Sequence, residues 1–264
     1  MPVKLISSRD NSLFKSLKKL AHSARERRKA GKALLDGEHL IVAHIERIGP
    51  PEILAVAHSA QDKPEVWALL ARLPHVPLLV LSDALFQELA SVESPSGILA
   101  LVAEPELPLP QTLQCIVLLE ALQDPGNLGA ILRSAAAAGV EAAYLSPGCA
   151  DAWSPKVLRG GMGAHFALAI REGVDLVAAA RSFAGEVVVT SLQGEASLFD
   201  LNLSGAVAFV IGNEGAGVSQ TLQQAATRRV RIPMPGAVES LNAAAAAAVC
   251  FFERVRQRQS TIVP

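Results

Sequence analysis

The sequence predicts an α/β protein made of two successive domains, and three observations carry that reading. Apolar runs of strand length alternate with stretches of helical spacing along most of the chain. The alternation is interrupted at Glu104-Pro105-Glu106-Leu107-Pro108-Leu109-Pro110, where three prolines in seven residues make a semi-rigid spacer rather than an element. Beyond the spacer, Cys115 to Glu120 opens with five consecutive apolar residues, the pattern of a strand buried on both faces of a parallel sheet. With 264 residues to divide, the expected boundaries are a smaller α/β domain over 1–104, a linker over 105–110, and a parallel-sheet domain over 111–264.

In the first domain, Leu13, Phe14, Leu17 and Leu20 recur at helical spacing, with Lys15, Lys18 and Lys19 elsewhere, and predict a helix over 12–20. Arg25, Arg27, Arg28, Lys29 and Lys32 follow, with Gly31 placed to end the turn. Leu40, Ile41, Ala43 and Ile45 predict a second helix within 35–48. Then come a strand over 53–57, a helix over 65–73, a strand over 76–81, a helix over 83–90 capped by Asp83, and a strand over 97–103. After the spacer, helices are expected over 126–139, from the cap and first-turn pair Ser154-Pro155 through Leu158, over 174–183, and from Ser240 onward. Strands over 142–145, 166–170, 186–191, 206–211 and 230–232 complete the second sheet.

Charge is distributed unevenly. The net charge is −1, yet residues 1–32 carry +8 and the remainder −9. A basic N-terminal arm on an acidic body is the electrostatic footprint of a nucleic-acid-binding protein; the plainer reading is a solvated charged helix. Arg9, Lys15, Lys18, Lys19, Arg25, Arg27 and Arg28 are the candidate phosphate contacts. Few aromatic residues stand nearby to stack on bases, so the expected affinity is electrostatic. No apolar run is long enough to span a bilayer, and the N-terminus lacks the pattern of a secretory or transit signal. Cys115, Cys149 and Cys250 are far apart and, like the six scattered histidines, fit no ligand spacing. They read as reduced, cytosolic thiols, with no metal site.

Three stretches at strand ends carry candidate chemistry. The first is Leu118-Leu119-Glu120-Ala121-Leu122-Gln123-Asp124-Pro125-Gly126-Asn127-Leu128-Gly129, with Arg133 six residues after Asn127. The second is Ile211-Gly212-Asn213-Glu214-Gly215-Ala216-Gly217. The third is Ile232-Pro233-Met234-Pro235-Gly236-Ala237-Val238-Glu239-Ser240-Leu241-Asn242, ahead of six alanines. Ligands of open α/β sheets bind beyond the carboxyl ends of strands, so the three should converge. Gly212, Gly215 and Gly217 let backbone approach a ligand, but their spacing is neither the dinucleotide fingerprint nor a Walker A loop, which disfavours NAD and ATP. Thr190-Ser191-Leu192 ends another strand and offers a further wall. Ser240 stands where the cap of the last helix is expected.

In this order the three stretches resemble the signature motifs of the SpoU (TrmH-type) RNA ribose 2'-O-methyltransferases of the SPOUT superfamily. The resemblance covers residue 111 to the C-terminus well. It is looser before that, where Ser8-Arg9-Asp10-Asn11, Gly37-Glu38-His39 and Ser94-Pro95-Ser96-Gly97-Ile98 look like the ribosomal-protein-like substrate-binding domain fused to many members. The resemblance implies S-adenosylmethionine as cofactor and structured RNA as substrate, ribosomal favoured over transfer RNA. It implies a C-terminal trefoil knot, which sequence physics alone would deny. It also implies a homodimer with the last helix in the interface, which joins the cytoplasmic location read from the cysteines. Val249, Phe251, Phe252 and Val255 offer an apolar surface for that contact, or pack on their own sheet.

The match puts adenosine contacts on Gly212, Ile232 and Leu241, with Thr190, Leu192 and Gly217 as further cofactor-binding candidates. Asn127, Arg133, Glu214, Ser240 and Asn242 are the catalytic candidates. The family assigns its arginine to activating the hydroxyl. A guanidinium does not readily deprotonate, so Arg133 is expected to orient phosphate and hydroxyl and to stabilise developing negative charge. Its plainer reading is a surface arginine on an alanine-rich helix. Asn127 should pin its loop or bond the arginine. Glu214 should orient Arg133 or a group of a partner chain, or be only an acid near a helix N-terminus. Ser240 and Asn242 are expected near the target nucleotide. Alanine fills the run after Asn242 where relatives alternate larger β-branched and small residues, a departure expected to alter packing more than chemistry. Two alternatives stand beside this reading: a non-catalytic RNA-binding protein on the same fold, and a nucleotide-dependent enzyme of ordinary Rossmann type.

Overall fold

The computed structural model describes residues 2–90, 95–192 and 194–260; Ser94, in one of the stretches quoted above, lies outside the described residues. The chain forms two compact units. One comprises Met1–Pro105 with Trp153–Phe166, the other Glu106–Ala152 with Ala167–Pro264.

The first unit opens with β1 (Val3–Ile6), α1 (Ser12–His22), α2 (Ala24–Ala30), β2 (Lys32–Asp36) and α3 (Glu38–Arg47). It continues through β3 (Ile53–Ala57), α4 (Pro64–Ala71), β4 (Leu78–Leu81), α5 (Asp83–Leu89) and β5 (Ile98–Ala103). The strand order is β1-β4-β3-β5-β2; β1, β4 and β3 run parallel, and β5 is antiparallel to both β3 and β2. Asn11 opens α1 by accepting from Leu13 N and Phe14 N at 3.0 and 3.3 Å. Phe14, Leu17 and Leu20 then face the core, as the helical spacing predicts. Ser23 caps α2, and Gly31 ends it at φ +59, a conformation that glycine adopts without steric cost.

Four expectations need correction here. The basic stretch is not an arm. Its α1 buries Phe14 and Leu17 to 1% and 2% exposure, and its β1 is a strand of the sheet. The helix expected from Leu35 begins only at Glu38. Residues 32–36 form β2, whose Ala33, Leu34 and Leu35 are all buried, and a continuous short apolar run does not distinguish strand from helix. Asp83 does not cap α5; Ser82 holds that position, and Asp83 Oδ1 accepts from Ser59 N at 3.0 Å and Ser59 Oγ at 2.8 Å. The strand expected over 166–170 is a 3-10 turn at Ala164–Phe166 followed by a strand that starts only at Ala169.

The second unit begins with β6 (Cys115–Leu119), α6 (Pro125–Ala137) and β7 (Ala142–Leu145). The chain then gives α7 (Pro155–Gly161) to the first unit. There α7 packs against β2, and Arg159 pairs with the nearly buried carboxylate of Asp36 at 2.9 Å, to which Ser96 Oγ also donates at 2.8 Å. The second unit resumes with β8 (Ala169–Arg171), α8 (Leu176–Ser182), β9 (Glu186–Thr190), β10 (Ala196–Ser197) and β11 (Val207–Ile211). It ends with α9 (Gln220–Ala225), β12 (Arg228–Arg231) and α10 (Ala243–Ser260). Its strand order is β10-β12-β9-β11-β6-β7-β8, and every neighbouring pair is parallel. The alanine-rich α10 packs on α6, which also presents small residues, and on β11. Phe251 goes into this core, edge-on to Phe209 at 5.7 Å between ring centroids, while Phe252 stays 48% exposed.

Candidate active site

The carboxyl ends of β9, β11 and β12 open onto a cavity of about 1170 Å³ within the second unit. The fold places it where a parallel sheet presents its loops, and its size exceeds the roughly 300–1,000 Å³ of ordinary small-molecule sites. The loop after β11 supplies Gly212, Asn213, Glu214, Gly217 and Val218 to the wall. The end of β9 supplies Thr190, Ser191 and Leu192, and the segment after β12 supplies Ile232 to Asn242 except Gly236 and Ala237. All six cofactor-binding candidates, Thr190, Leu192, Gly212, Gly217, Ile232 and Leu241, line this one cavity. Apolar Leu192, Ile232, Val238 and Leu241 suit a flat heterocycle, and Thr190, Ser191, Glu239 and exposed backbone suit its polar edges. The residues present therefore fit an adenosine-bearing cofactor.

The glycine at 212 has a nearer reason than the ligand. A Cβ there would lie 2.4 Å from the Gly217 carbonyl carbon and 2.5 Å from Val218 N. The turn is closed on itself: Asn213 and Gly217 exchange backbone hydrogen bonds at 3.0 and 2.9 Å. Asn213, which sequence reasoning missed, organises the turn. Its Oδ1 accepts from Gly215 N and Ala216 N at 3.0 and 2.9 Å, and its Nδ2 donates to Ala121 O at 2.8 Å. The signal was there in Asn213-Glu214-Gly215, an Asx-turn composition.

Three catalytic candidates are joined in one hydrogen-bonded chain in the cavity wall. Asn127 Nδ2 donates to Glu214 Oε1 at 3.1 Å, and Asn127 Oδ1 accepts from Asn242 Nδ2 at 2.8 Å. Glu214 also accepts from Gln123 N at 3.3 Å and Asp124 N at 3.2 Å. Asp124 caps α6 by accepting from Asn127 N at 2.7 Å. Asn127 is thus the hinge pin between all three motifs, and it pins its loop rather than bonding Arg133. Burial alone would raise the Glu214 carboxyl. Hydrogen bonds from its own backbone, the Asn127 amide and the Asp124 and Gln123 N–H groups outweigh it and hold the group below its ordinary 4.5. Glu214 is therefore an anion at neutral pH with its acceptor positions in use, suited to positioning and not to proton abstraction.

Asn242, not Ser240, opens the last helix: its Oδ1 accepts from Ala244 N at 2.9 Å and Ala245 N at 3.3 Å. Ser240 is exposed, lines the cavity and makes no hydrogen bond among the described residues. The cap expected at Ser240 therefore lies two residues farther on, which leaves the serine hydroxyl available to a ligand. Arg133 is on α6, exposed, and not part of the cavity wall; no hydrogen bond or ion pair engages it among the described residues. The structure groups Asn127, Glu214, Ser240 and Asn242 at the cavity and leaves Arg133 on the exposed side of the helix that Asn127 begins.

Among the described residues no cluster of His, Cys, Asp and Glu is arranged to hold a metal ion. Burial pushes the Cys115 thiol up to about 11 and the Cys250 thiol to about 12, so neither is a nucleophile at neutral pH. No helix of the described residues is long and apolar enough to cross a membrane.

Among the basic candidates of the first unit, Arg27 is withdrawn from the surface. It is 4% exposed, and its guanidinium donates to Leu20 O at 2.6 Å and Ala21 O at 3.2 Å, satisfying the end of α1. Arg9 and Lys18 both pair with Glu88 at 2.6 Å, and Lys15 pairs with Asp10 at 2.7 Å. Lys19, Arg25 and Arg28 are exposed.

The SpoU rRNA Methylase family model matches residues 114–252, and a model described as an MRM3-like substrate binding domain matches residues 11–100. The chain is 34% identical to the 23S rRNA (guanosine(2553)-2'-O)-methyltransferase RlmP of Bacillus subtilis, over 95% of this chain and 98% of that one. It is 32% identical to a 23S rRNA (uridine(2479)-2'-O)-methyltransferase of Streptomyces viridochromogenes, over 97% and 93%. The crystal structure of the SpoU methyltransferase AviRb from Streptomyces viridochromogenes in complex with AdoMet superposes with a TM-score of 0.84 at 30% identity, covering 95% of this chain and 99% of that one. The AdoMet-bound rRNA methyltransferase of Sinorhizobium meliloti gives 0.81 at 26% identity over 99% of both. The linked motifs, the cavity they border and these likenesses along nearly the whole length agree: the chain belongs to the SpoU rRNA methylase family.

Proposed function

We propose that this protein transfers a methyl group from S-adenosylmethionine to the 2'-hydroxyl of a ribose in ribosomal RNA. It is an RNA 2'-O-methyltransferase. The observation that carries the reading is the single hydrogen-bonded series Glu214–Asn127–Asn242, which ties the three motifs together in the wall of the cavity. When bound, the cofactor would supply an electrophilic methyl to the ribose oxygen and leave as the neutral thioether, with the hydroxyl proton passing to water. The protein holds the adenosine against the backbone of the loop after β11, with Thr190, Leu192, Gly217, Ile232 and Leu241 around it. Ser240, free of any capping duty, and Asn242 face the incoming nucleotide. Arg133 orients a phosphate of the bound RNA and stabilises the negative charge that grows on the ribose oxygen. Ribosomal RNA is favoured because the relatives above are named for 23S rRNA sites. A cytoplasmic location is part of the same reading.

The first unit is the RNA grip in this proposal, through Arg9, Lys15, Lys18, Lys19, Arg25 and Arg28. A homodimer is supported by the exposed Phe252 on α10, with Val249 and Val255 half-buried beside it. The knot implied by the family resemblance is supported by the chain's path. β12 lies beyond β9 from β11, whereas α10 packs on α6 and β11, so residues 232–242 return past the loop after β11.

The test is methyl transfer from labelled S-adenosylmethionine to ribosomal and transfer RNA, with the modified position mapped at the 2'-oxygen. Arg133→Ala is expected to lose roughly 10²–10³ in turnover, the usual cost of one charge-stabilising donor, with cofactor affinity within a few-fold of wild type. Label appearing on a base, or undiminished turnover by Arg133→Ala, would sink the respective assignment.

A further inference from the structure

We propose that Glu120 is a positioning residue for the cofactor, acting through the loop after β11. The proposal rests on the assignment of the cavity to S-adenosylmethionine.

Glu120 immediately follows β6, and its carboxylate reaches across to the far end of that loop. Oε2 accepts from Ser219 N at 2.7 Å, and Oε1 accepts from Ser219 Oγ at 2.7 Å. Ser219 in turn caps α9 by accepting from Leu222 N at 3.3 Å. The carboxylate therefore fixes where the loop stops and α9 starts. The other anchors of the same loop are made to the same short segment. Asn213, at the entry, donates to Ala121 O at 2.8 Å, and Glu214, near the middle, accepts from Gln123 N, Asp124 N and Asn127 Nδ2. Side chains from entry, middle and exit thus register residues 213–219 against residues 120–127.

The receiving segment is itself held in an unfavourable shape. Ala121 has φ +50, a left-handed conformation that costs a non-glycine residue energy, and its N–H donates to Ser146 Oγ at 2.9 Å. Strain of this kind persists where surrounding bonds over-determine it, and Glu120 contributes two of those bonds. Of the three anchoring residues, Glu120 is the one that is not part of the cavity wall, whereas Asn213 and Glu214 are. It reaches the ligand only by setting the backbone of Gly212, Gly217 and Val218, which do line the wall. Both hydrogen bonds use a charged acceptor, the stronger class. Losing them is expected to let the loop exit drift, which weakens cofactor binding without touching the hydroxyl chemistry.

The experiment is isothermal calorimetry with S-adenosylmethionine, alongside steady-state methyl transfer, on the full chain. Glu120→Ala is expected to raise Kd and KM for the cofactor by about tenfold or more, with kcat at saturating cofactor within about twofold of wild type and RNA affinity unchanged. Glu120→Gln keeps one acceptor for Ser219 N and a donor for Ser219 Oγ, and is expected to restore affinity to within a few-fold. Ser219→Ala removes only the hydroxyl bond and is expected to fall between wild type and Glu120→Ala; it keeps the test open if the alanine variant does not fold. Wild-type Kd in either alanine variant, or a loss in Glu120→Gln as large as in Glu120→Ala, would overturn the clasp while leaving the methyltransferase reading intact. Absence of binding by the wild-type protein would overturn both.

Discussion

At the scale of single residues, the structure separates groups that the sequence presents as equivalents. Gly212 and Gly217 both read as glycines that admit a ligand, yet only Gly212 has backbone pressed against the place of its missing Cβ. Gly212→Ala is therefore expected to destabilise the folded protein by about 1–3 kcal/mol through local overpacking, and to weaken cofactor binding as a consequence. Urea unfolding together with calorimetry checks this; unchanged stability with weakened binding would return Gly212 to direct ligand contact. Ser240 and Asn242 separate in the same way. Asn242→Ala loses both the cap of α10 and the tie to Asn127, and is expected to cost about 1 kcal/mol or more from the cap alone. Ser240→Ala is expected to leave thermal stability unchanged, so an equal fall in both melting temperatures would reject the assignment. The sequence could not make this distinction. Serine and asparagine are both good caps, and choosing between them needs the turn that Pro233, Pro235 and Gly236 impose beforehand.

At the scale of elements, the short loop after β11 is held by charge as much as by shape. Glu214 has its carboxyl below the ordinary 4.5, so the folded state binds that proton less readily than the unfolded chain. Its stabilising contribution is present above the unfolded value and is lost as pH falls through the depressed folded one. Wild type should therefore lead Glu214→Gln in urea midpoint at pH 7, and the gap should close below about pH 4.5. A gap that persists undiminished at pH 3 would show that the charge is not what matters. Most elements were legible in advance because their apolar periodicity matched their burial: α1, β6, β9 and β11 fall nearly where spacing puts them. The failures have a physical pattern. β10 has two residues, too few to show a period, and α9 is only six residues long. β2 is buried along most of its length, so alternation is absent.

At the scale of the whole molecule, the uneven charge was legible, but its attachment was not. Ten Lys and Arg within residues 1–32 suggested an appendage; the same residues contribute β1, α1, α2 and the first residue of β2 to a folded unit. Removing residues 4–32 is accordingly expected to unfold that unit instead of trimming it, and the RNA grip needs a surface change. Replacing Lys19, Arg25 and Arg28 by glutamate is expected to weaken RNA binding and to lower the slope of log affinity against log salt by roughly 0.7–0.9 for each phosphate no longer neutralised, with cofactor affinity unchanged. An unaltered slope in a folded variant would remove this face from the RNA path. The parallel sheet and the convergence of the three motifs were readable from order along the chain, whereas the donation of residues 153–166 to the first unit left no compositional mark. That donation has a consequence for how the molecule comes apart. The backbone passes between the units three times, after Pro105, Ala152 and Phe166. A protease that nicks the proline spacer therefore severs one of three covalent connections, and the two products should co-migrate until denatured. A fragment ending at Pro105 would in addition lack α7, which packs on β2 in the intact protein, and would leave that part of β2 without its partner.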